Sequence, residues 1–179
     1  MANQTSKIVW SVDTAGIVST APVTISKIIY YVNEHGDVAK LTYWDESSTP
    51  QDEQSAKTVT ATAETRTFES TGNFDTDDVD VGDIIKIVAS NSNNAGTYMV
   101  ATNANDNTIT VAAAQTVVAD TSKTYAWKTW RPSEFLTLHG TKLTGDDQPI
   151  QVDFGNGFRV PNLCLESMTA SGRMLIYLK

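Results

Sequence analysis

The stretch VGDIIKIVASNSNNAGTYMVATNANDNTITV, residues 81–111, decides how this chain is read. Three short apolar runs, IIKIVA, TYMVAT and TITV, are separated by loops made of Asn, Ser, Ala, Gly and Asp. Short β-branched runs bounded by Gly and Asx residues are strands joined by turns, because a helix needs a longer 3.6-residue period and tolerates these breakers poorly. Gly82-Asp83 reads as a turn ahead of a strand starting at Ile84. Gly96 is expected at positive φ just before Thr97. Asn105-Asp106-Asn107 supplies the last turn, since Asx side chains cap their own backbone and tolerate left-handed geometry. The whole stretch is expected to be a three-strand meander.

The same style runs outward in both directions. Towards the N-terminus, KIVWSV (Lys7–Val12), VTISKIIYYV (Val23–Val32) and VAKLTYW (Val38–Trp44) are strand-like. The polar link NEHGD, with Gly36, predicts a hairpin between the last two, and the three together read as a meander. DESSTPQDEQSAK (Asp45–Lys57) is polar, aperiodic and contains Pro50, so it reads as a surface loop or linker. TVTATAETRTFES (Thr58–Ser70) has the Thr and β-branched bias of a strand or hairpin. AAAQTVVAD has the length of a short helix, against which its Thr and Val residues count. Further on, FLTLHG alternates, PIQVDF and FRVPNLCLES flank the tight-turn signal Gly155-Asn156-Gly157, and RMLIYLK is a final strand introduced by TASG. Pro161 inside the second of these runs marks an edge strand or a bulge.

Many short strands at regular spacing imply an all-β sandwich or barrel. The sequence divides into a β-sandwich assembly domain, residues 1–57 plus 129–179, and an inserted small β-barrel-like domain, residues 58–128. A single larger sandwich is the alternative.

Composition limits the function classes. Of 179 residues, 40% are apolar, which supports a core; only 19% are charged, and the formal net charge is −8. A basic face for nucleic acid or anionic membrane is therefore not expected. No run reaches the length of a membrane-spanning helix, and MANQTSKIVW has no apolar signal region. The single cysteine, Cys164, sits in the apolar run NLCLESM and reads as a buried thiol. One Cys and two His cannot build a zinc cluster.

Catalytic and metal patterns are weak. In the acidic run DTDDVDVGD (Asp75, Asp77, Asp78, Asp80, Asp83), the fifth residue from Asp75 is Val79 and the twelfth is Lys86, so the calcium-loop spacing fails; from Asp78 the fifth is Gly82. The run reads as a solvated or turn-forming loop. His35 and His139 each precede a glycine and read as exposed loop residues. No G-x-S-x-G elbow and no phosphate loop is present. Asp146-Asp147 and Asp45-Glu46 are adjacent carboxylates in turn-like segments. No cofactor, metal or catalytic residue is assigned.

FDTDDVDVGDIIKIVAS, Asn94-Ala95-Gly96-Thr97-Tyr98-Met99-Val100 and Thr108-Ile109-Thr110-Val111 together resemble a small β-module of tailed-bacteriophage virion proteins, over residues 67–112. The ending MLIYLK, with its preceding Pro-Asn-Leu strand and Thr/Ser/Gly turn, is similar to the last hairpin of small phage structural proteins. The resemblance implies a non-enzymatic virion component made in the host cytoplasm: a capsid decoration (cement) protein binding the major capsid protein and copies of itself as a homotrimer. A tail tube, adaptor or fibre-base part is the alternative within the virion. A carbohydrate-binding module is the alternative outside it. Trp127 and Trp130 bracket Lys128-Thr129 and precede Arg131-Pro132, and Tyr43-Trp44 ends a strand. These rings either pack a domain junction or form an exposed platform, and Trp44, Trp127, Trp130 and Arg131 are the expected interface residues.

Overall fold

The computed structural model describes residues 4–5, 9–75, 78–90, 93–140, 149–169 and 172–179. Every regular element among them is a β-strand. The chain separates into two compact units, Met1–Tyr43 with Ser133–Lys179, and Trp44–Pro132. The first unit contributes β1 (Gln4–Thr5), β2 (Val9–Val12), β3 (Gly16–Ser19), β4 (Val23–Tyr31) and β5 (Val38–Tyr43). The second holds β6 (Asp52–Thr62), β7 (Thr67–Glu69), β8 (Ile84–Ser90), β9 (Gly96–Asn105), β10 (Thr108–Val111) and β11 (Asp120–Trp130). The chain then returns to the first unit with β12 (Ser133–His139), β13 (Ile150–Val160), β14 (Leu163–Met168) and β15 (Arg173–Leu178).

The inserted unit begins and ends outside the expected bounds of 58 and 128. DEQSAK, read as linker, is the first half of β6, which pairs along its length with β11 as far as Asp52↔Thr129. That half hid because it carries no large apolar residue; in β6 only Val59 and Ala61 are buried. A strand whose outer half faces water gives no hydrophobic signal.

The six strands of the second unit close into an antiparallel barrel in the order β10-β7-β6-β11-β8-β9, with β9 returning to pair β10. Two bulges bend its longest pair. Ala56 and Ser122 lie at positive φ, 54° and 49°, each where one strand carries a residue that the other lacks. Such bulges increase local twist and help a sheet curl onto itself. Phe68, Phe74, Tyr98, Tyr125 and Trp127 fill the barrel with Val59, Ile85, Val100 and Ile109. The meander of the opening stretch is present as β8-β9-β10. Gly82 has φ 92°, and Asn107 N–H donates to Asn105 Oδ1 (2.9 Å) in the last turn. Gly96, by contrast, is not at positive φ. No helix forms at AAAQTVVAD, against which its Thr and Val residues count: residues 112–119 are irregular, and the Gln115 side chain accepts from Met99 N–H (2.8 Å) and donates to Thr97 O (3.0 Å).

The first unit has two sheets, β1-β2-β15-β4-β13 and β12-β5-β14-β3. Its core draws Val12, Ile25, Ile28, Tyr30, Met174 and Ile176 from one sheet and Ala39, Leu41, Leu138, Leu163 and Leu165 from the other. The expected β4–β5 hairpin does not form. β4 pairs β15 and β13, whereas β5 pairs β12 and β14. NEHGD is instead a corner between sheets. Asp37, 4% exposed, accepts the N–H groups of Asn33 (2.9 Å) and Glu34 (2.8 Å) on Oδ2, and Gly36 takes φ 89°. The mixed periodicity of VTISKIIYYV also has a cause. Tyr177 pairs Lys27 and Leu178 pairs Ile25, so Ser26 is an extra residue, and both Ile25 and Ile28 face the core.

Gly155-Asn156-Gly157 is not a hairpin turn between two strands. It lies within β13, where Asp153 pairs Lys27 and Phe158 pairs Ile25, so four residues of β13 span a single residue of β4. The chain bulges outward there on two positive-φ glycines, Gly155 at 57° and Gly157 at 95°. The change of sheet comes later, at Pro161-Asn162, before β14. At Gly157 a Cβ would stand 2.7 Å from Thr24 Cγ2; at Gly155 it would meet nothing within 4 Å. Gly157→Ala is therefore expected to cost about 3 kcal/mol or more, combining strain with a clash, and Gly155→Ala about 1 kcal/mol. Urea denaturation of both variants, followed by circular dichroism, measures the difference; equal costs would contradict this bulge geometry.

Candidate functional site

All four residues singled out by sequence lie in the second unit, and three are buried. Trp127, 1% exposed, stands in the barrel core with its ring stacked on Phe74 (centroids 5.0 Å apart, 27° between planes). Its Nε1 finds no acceptor among the described residues. Trp130 is 5% exposed, at the end of β11, and donates from Nε1 to Ser48 O (3.2 Å). Trp44 is buried too. Neither an exposed sugar platform nor an aromatic anchor is available from these rings as they stand. The alternation of β11 explains why: Tyr125, Trp127 and Thr129 fall on one face, which is the inside of the barrel.

Arg131 does reach the surface, and its partners are the acidic run. Its guanidinium pairs with Asp80 Oδ2 and with both oxygens of Asp83 (3.3 Å each). Asp83, 2% exposed, also accepts Asp80 N–H on Oδ2 (2.8 Å), and its backbone exchanges with the strand opposite through Val100 N–H to Asp83 O (2.8 Å). The V-G-D turn is thus a brace: Gly82 allows the reversal, Asp83 caps it, and Arg131 neutralises it. Burial pushes the Asp83 carboxyl above its ordinary range, while hydrogen bonds from Arg131 and Asp80 N–H pull it down. Asp75 O receives the N–H groups of Asp78 and Val79, an ordinary turn. Asp77 lies outside the described residues. Among those described, no group of three His, Cys, Asp or Glu is placed to hold a metal ion.

The N-x-G-T-Y segment is a second brace. Asn94, fully buried, donates from Nδ2 to Val118 O (2.7 Å) and to Tyr125 OH (2.9 Å), and accepts Val118 N–H on Oδ1 (2.8 Å). Tyr98 OH donates back to Asn94 O (3.1 Å), and Tyr125 OH donates to Asp120 Oδ2 (2.9 Å). A buried amide with both ends satisfied pins residue 118 to residue 94 and fixes the approach to β11.

The remaining candidates are structural or exposed. Asp45 accepts Ser47 N–H (2.9 Å) and Ser47 Oγ–H (2.7 Å) on Oδ1, which lowers its carboxyl pKa, and Glu46 pairs with Lys86. Asp146-Asp147 lies outside the described residues. His35 and His139 are exposed. Cys164 is fully buried, and burial raises its thiol pKa far above the usual value, so no reactive thiolate is present. A groove of about 450 Å³ runs past Lys57, Thr60, Glu69, Asn73 and Ser122 on the barrel, with no aromatic ring in its lining.

One surface feature went unread in the sequence. Phe135 on β12 stacks on both Phe154 (5.5 Å, 25°) and Phe158 (5.1 Å, 25°) of β13. Phe154 and Phe158 are four residues apart and would stand about 13 Å apart along a straight strand. The Gly155–Gly157 bulge folds them to 6.2 Å between centroids. Phe158 remains 47% exposed. β12 and β13 are the end strands of their two sheets among the described residues, so the cluster sits at sheet edges. Its signal, two phenylalanines flanking G-N-G, reads in sequence as turn chemistry.

Comparison with protein-family models, curated proteins and solved structures finds no match to this chain.

Arg131→Met should raise the Asp83 pKa further, because it removes the hydrogen bonds and charge that oppose burial. A carboxyl whose folded pKa exceeds its unfolded one favours the fold below the unfolded value, and that contribution is lost as pH rises through the folded pKa. The variant should therefore lose more stability between mildly acidic and neutral pH than the parent. Carbon-13 NMR titration of the Asp83 carboxyl, with denaturation at each pH, checks both; an Asp83 pKa lowered by the substitution would contradict the brace.

Proposed function

We propose that this chain is a non-enzymatic structural protein of a tailed-phage virion, a capsid decoration protein that binds the capsid lattice and copies of itself. The observation that carries an adhesive role is the Phe135–Phe154–Phe158 cluster on two open sheet edges. A half-exposed Phe158 stacked on Phe135, at the end strands of two sheets, supplies apolar area and edge hydrogen-bonding groups for a protein contact. The virion setting rests on the resemblance of residues 67–112 to a phage β-module. In that setting the work is mechanical. Each copy adds buried area across joints that otherwise open under internal pressure, and binding only the assembled lattice stabilises it by mass action.

The acidic composition fits a protein partner rather than nucleic acid. The barrel is braced internally by Arg131–Asp83 and by Asn94.

Purified particles should contain this chain at a copy number comparable with that of the major capsid protein. Capsids lacking it should rupture at lower temperature or milder osmotic shock, and Phe158→Ser chains should fail to restore them. A handful of copies located in the tail would move the protein to a connector or fibre base. Absence from particles would overturn the virion reading.

A further inference from the structure

Residues 152–160 read Val-Asp-Phe-Gly-Asn-Gly-Phe-Arg-Val. About Asn156 the segment is the same in both directions, Val152 matching Val160, Phe154 matching Phe158 and Gly155 matching Gly157, except at one pair. That pair is Asp153 and Arg159, which are opposite in charge. Two-fold contacts are isologous: if residue i of one copy meets j of the other, j meets i. A segment that pairs with itself head to tail about its centre meets this condition at every position, with charge attraction in place of identity at the one exception.

The structure puts the segment where such a contact can form. β13 hydrogen-bonds to β4 on one side and, among the described residues, ends its sheet on the other. Asp153, Asn156, Phe158 and Arg159 are exposed. Arg159 has no ion pair among the described residues. Asp153 accepts Gly155 N–H on Oδ1 (2.7 Å), and its cross-strand neighbour Lys27 lies over the Tyr177 ring (5.5 Å) instead of against it. Both charges are thus open to an external partner. Phe158 stands between them with nearly half its surface in water.

We propose that β13 is a two-fold self-association site, in which a second copy of this chain docks about an axis near Asn156. Phe158 packs on the partner's Phe154, and Arg159 pairs with the partner's Asp153, twice over by symmetry. The three-fold arrangement implied by the resemblance gives way here to a dimer. The inference rests on reading the phenylalanine edge as the adhesive surface; it does not need the virion setting.

The contact is small, at the low end of specific interfaces, so association of the intact chain should be followed up to about 1 mM by sedimentation equilibrium. The wild type should dimerise. Asp153→Arg and Arg159→Asp each set like charges face to face twice and should weaken dimerisation at least tenfold. The combined Asp153→Arg/Arg159→Asp chain restores opposite charges and should return to near wild-type affinity. Both positions are exposed, and circular dichroism confirms that each variant folds. A monomeric wild type, a trimer indifferent to either reversal, or a double variant no better than the singles would overturn the proposal. A chain missing from particles that still dimerises in this way would sink the virion reading alone. A chain abundant in particles but monomeric in solution would sink this contact alone.

Discussion

Backbone hydrogen bonding is closed in one unit of this chain and open in the other, and the rest of the account depends on that difference. In the barrel every strand has two neighbours, because β9 pairs β10 as well as β8. Closure removes edges altogether. In the first unit, among the described residues, both sheets stop, one of them at β13 and the other at β12. Unpaired edges invite pairing with other chains, and proteins usually blunt them with bulges and charges. β13 carries both devices, the Gly155–Gly157 bulge and the Asp153 and Arg159 charges. It also carries two phenylalanines that the bulge gathers onto Phe135. Such an edge resists indiscriminate stacking but keeps a shaped, charged and apolar patch.

The barrel shows the other use of the same residue types. Its aromatic rings point inward, with Phe68 edge-on to Tyr98 and Tyr125 and Trp127 stacked on Phe74. Removing so much aromatic surface from water is the main driving force of a small barrel. The polar groups it buries are mostly committed to its own loops. Asn94 holds the chain before β11, and Asp83 with Arg131 holds the turn before β8. The motifs V-G-D and N-x-G-T-Y are therefore instructions for folding. They specify which loops meet.

Much of this was legible in the sequence, and the failures share a cause. Period-two runs bounded by Gly and Asx identified an all-β chain, and Gly82 and Asn105–Asn107 form the turns that their local chemistry dictates. Burial of Cys164 followed from its apolar neighbours. Pairing partners did not follow, because they depend on contacts far apart in sequence: β4 and β5 look like a hairpin, yet each joins a different sheet. The polar half of β6 was invisible because no apolar residue marks it. Trp127 and Trp130 read as junction packing or as an exposed platform, and the sequence alone does not choose: which face of β11 points inward, with Trp127 on it, is set by β6 and β8. The phenylalanine cluster was missed for a similar reason. Phe135 lies in a distant strand, and only the bulge brings Phe154 and Phe158 together.

The central claim is that adhesion belongs to the open edge of the first unit and not to the barrel or the tryptophan segment. Backbone hydrogen–deuterium exchange of the intact chain, compared between dilute and concentrated solutions, tests it directly. The account predicts that protection rises with concentration over residues 150–160 and 133–139, while the barrel strands Ile84–Ser90, Gly96–Asn105 and Thr108–Val111 exchange equally in both. Protection gained over residues 127–132 or within the barrel, with none over 150–160, would contradict it.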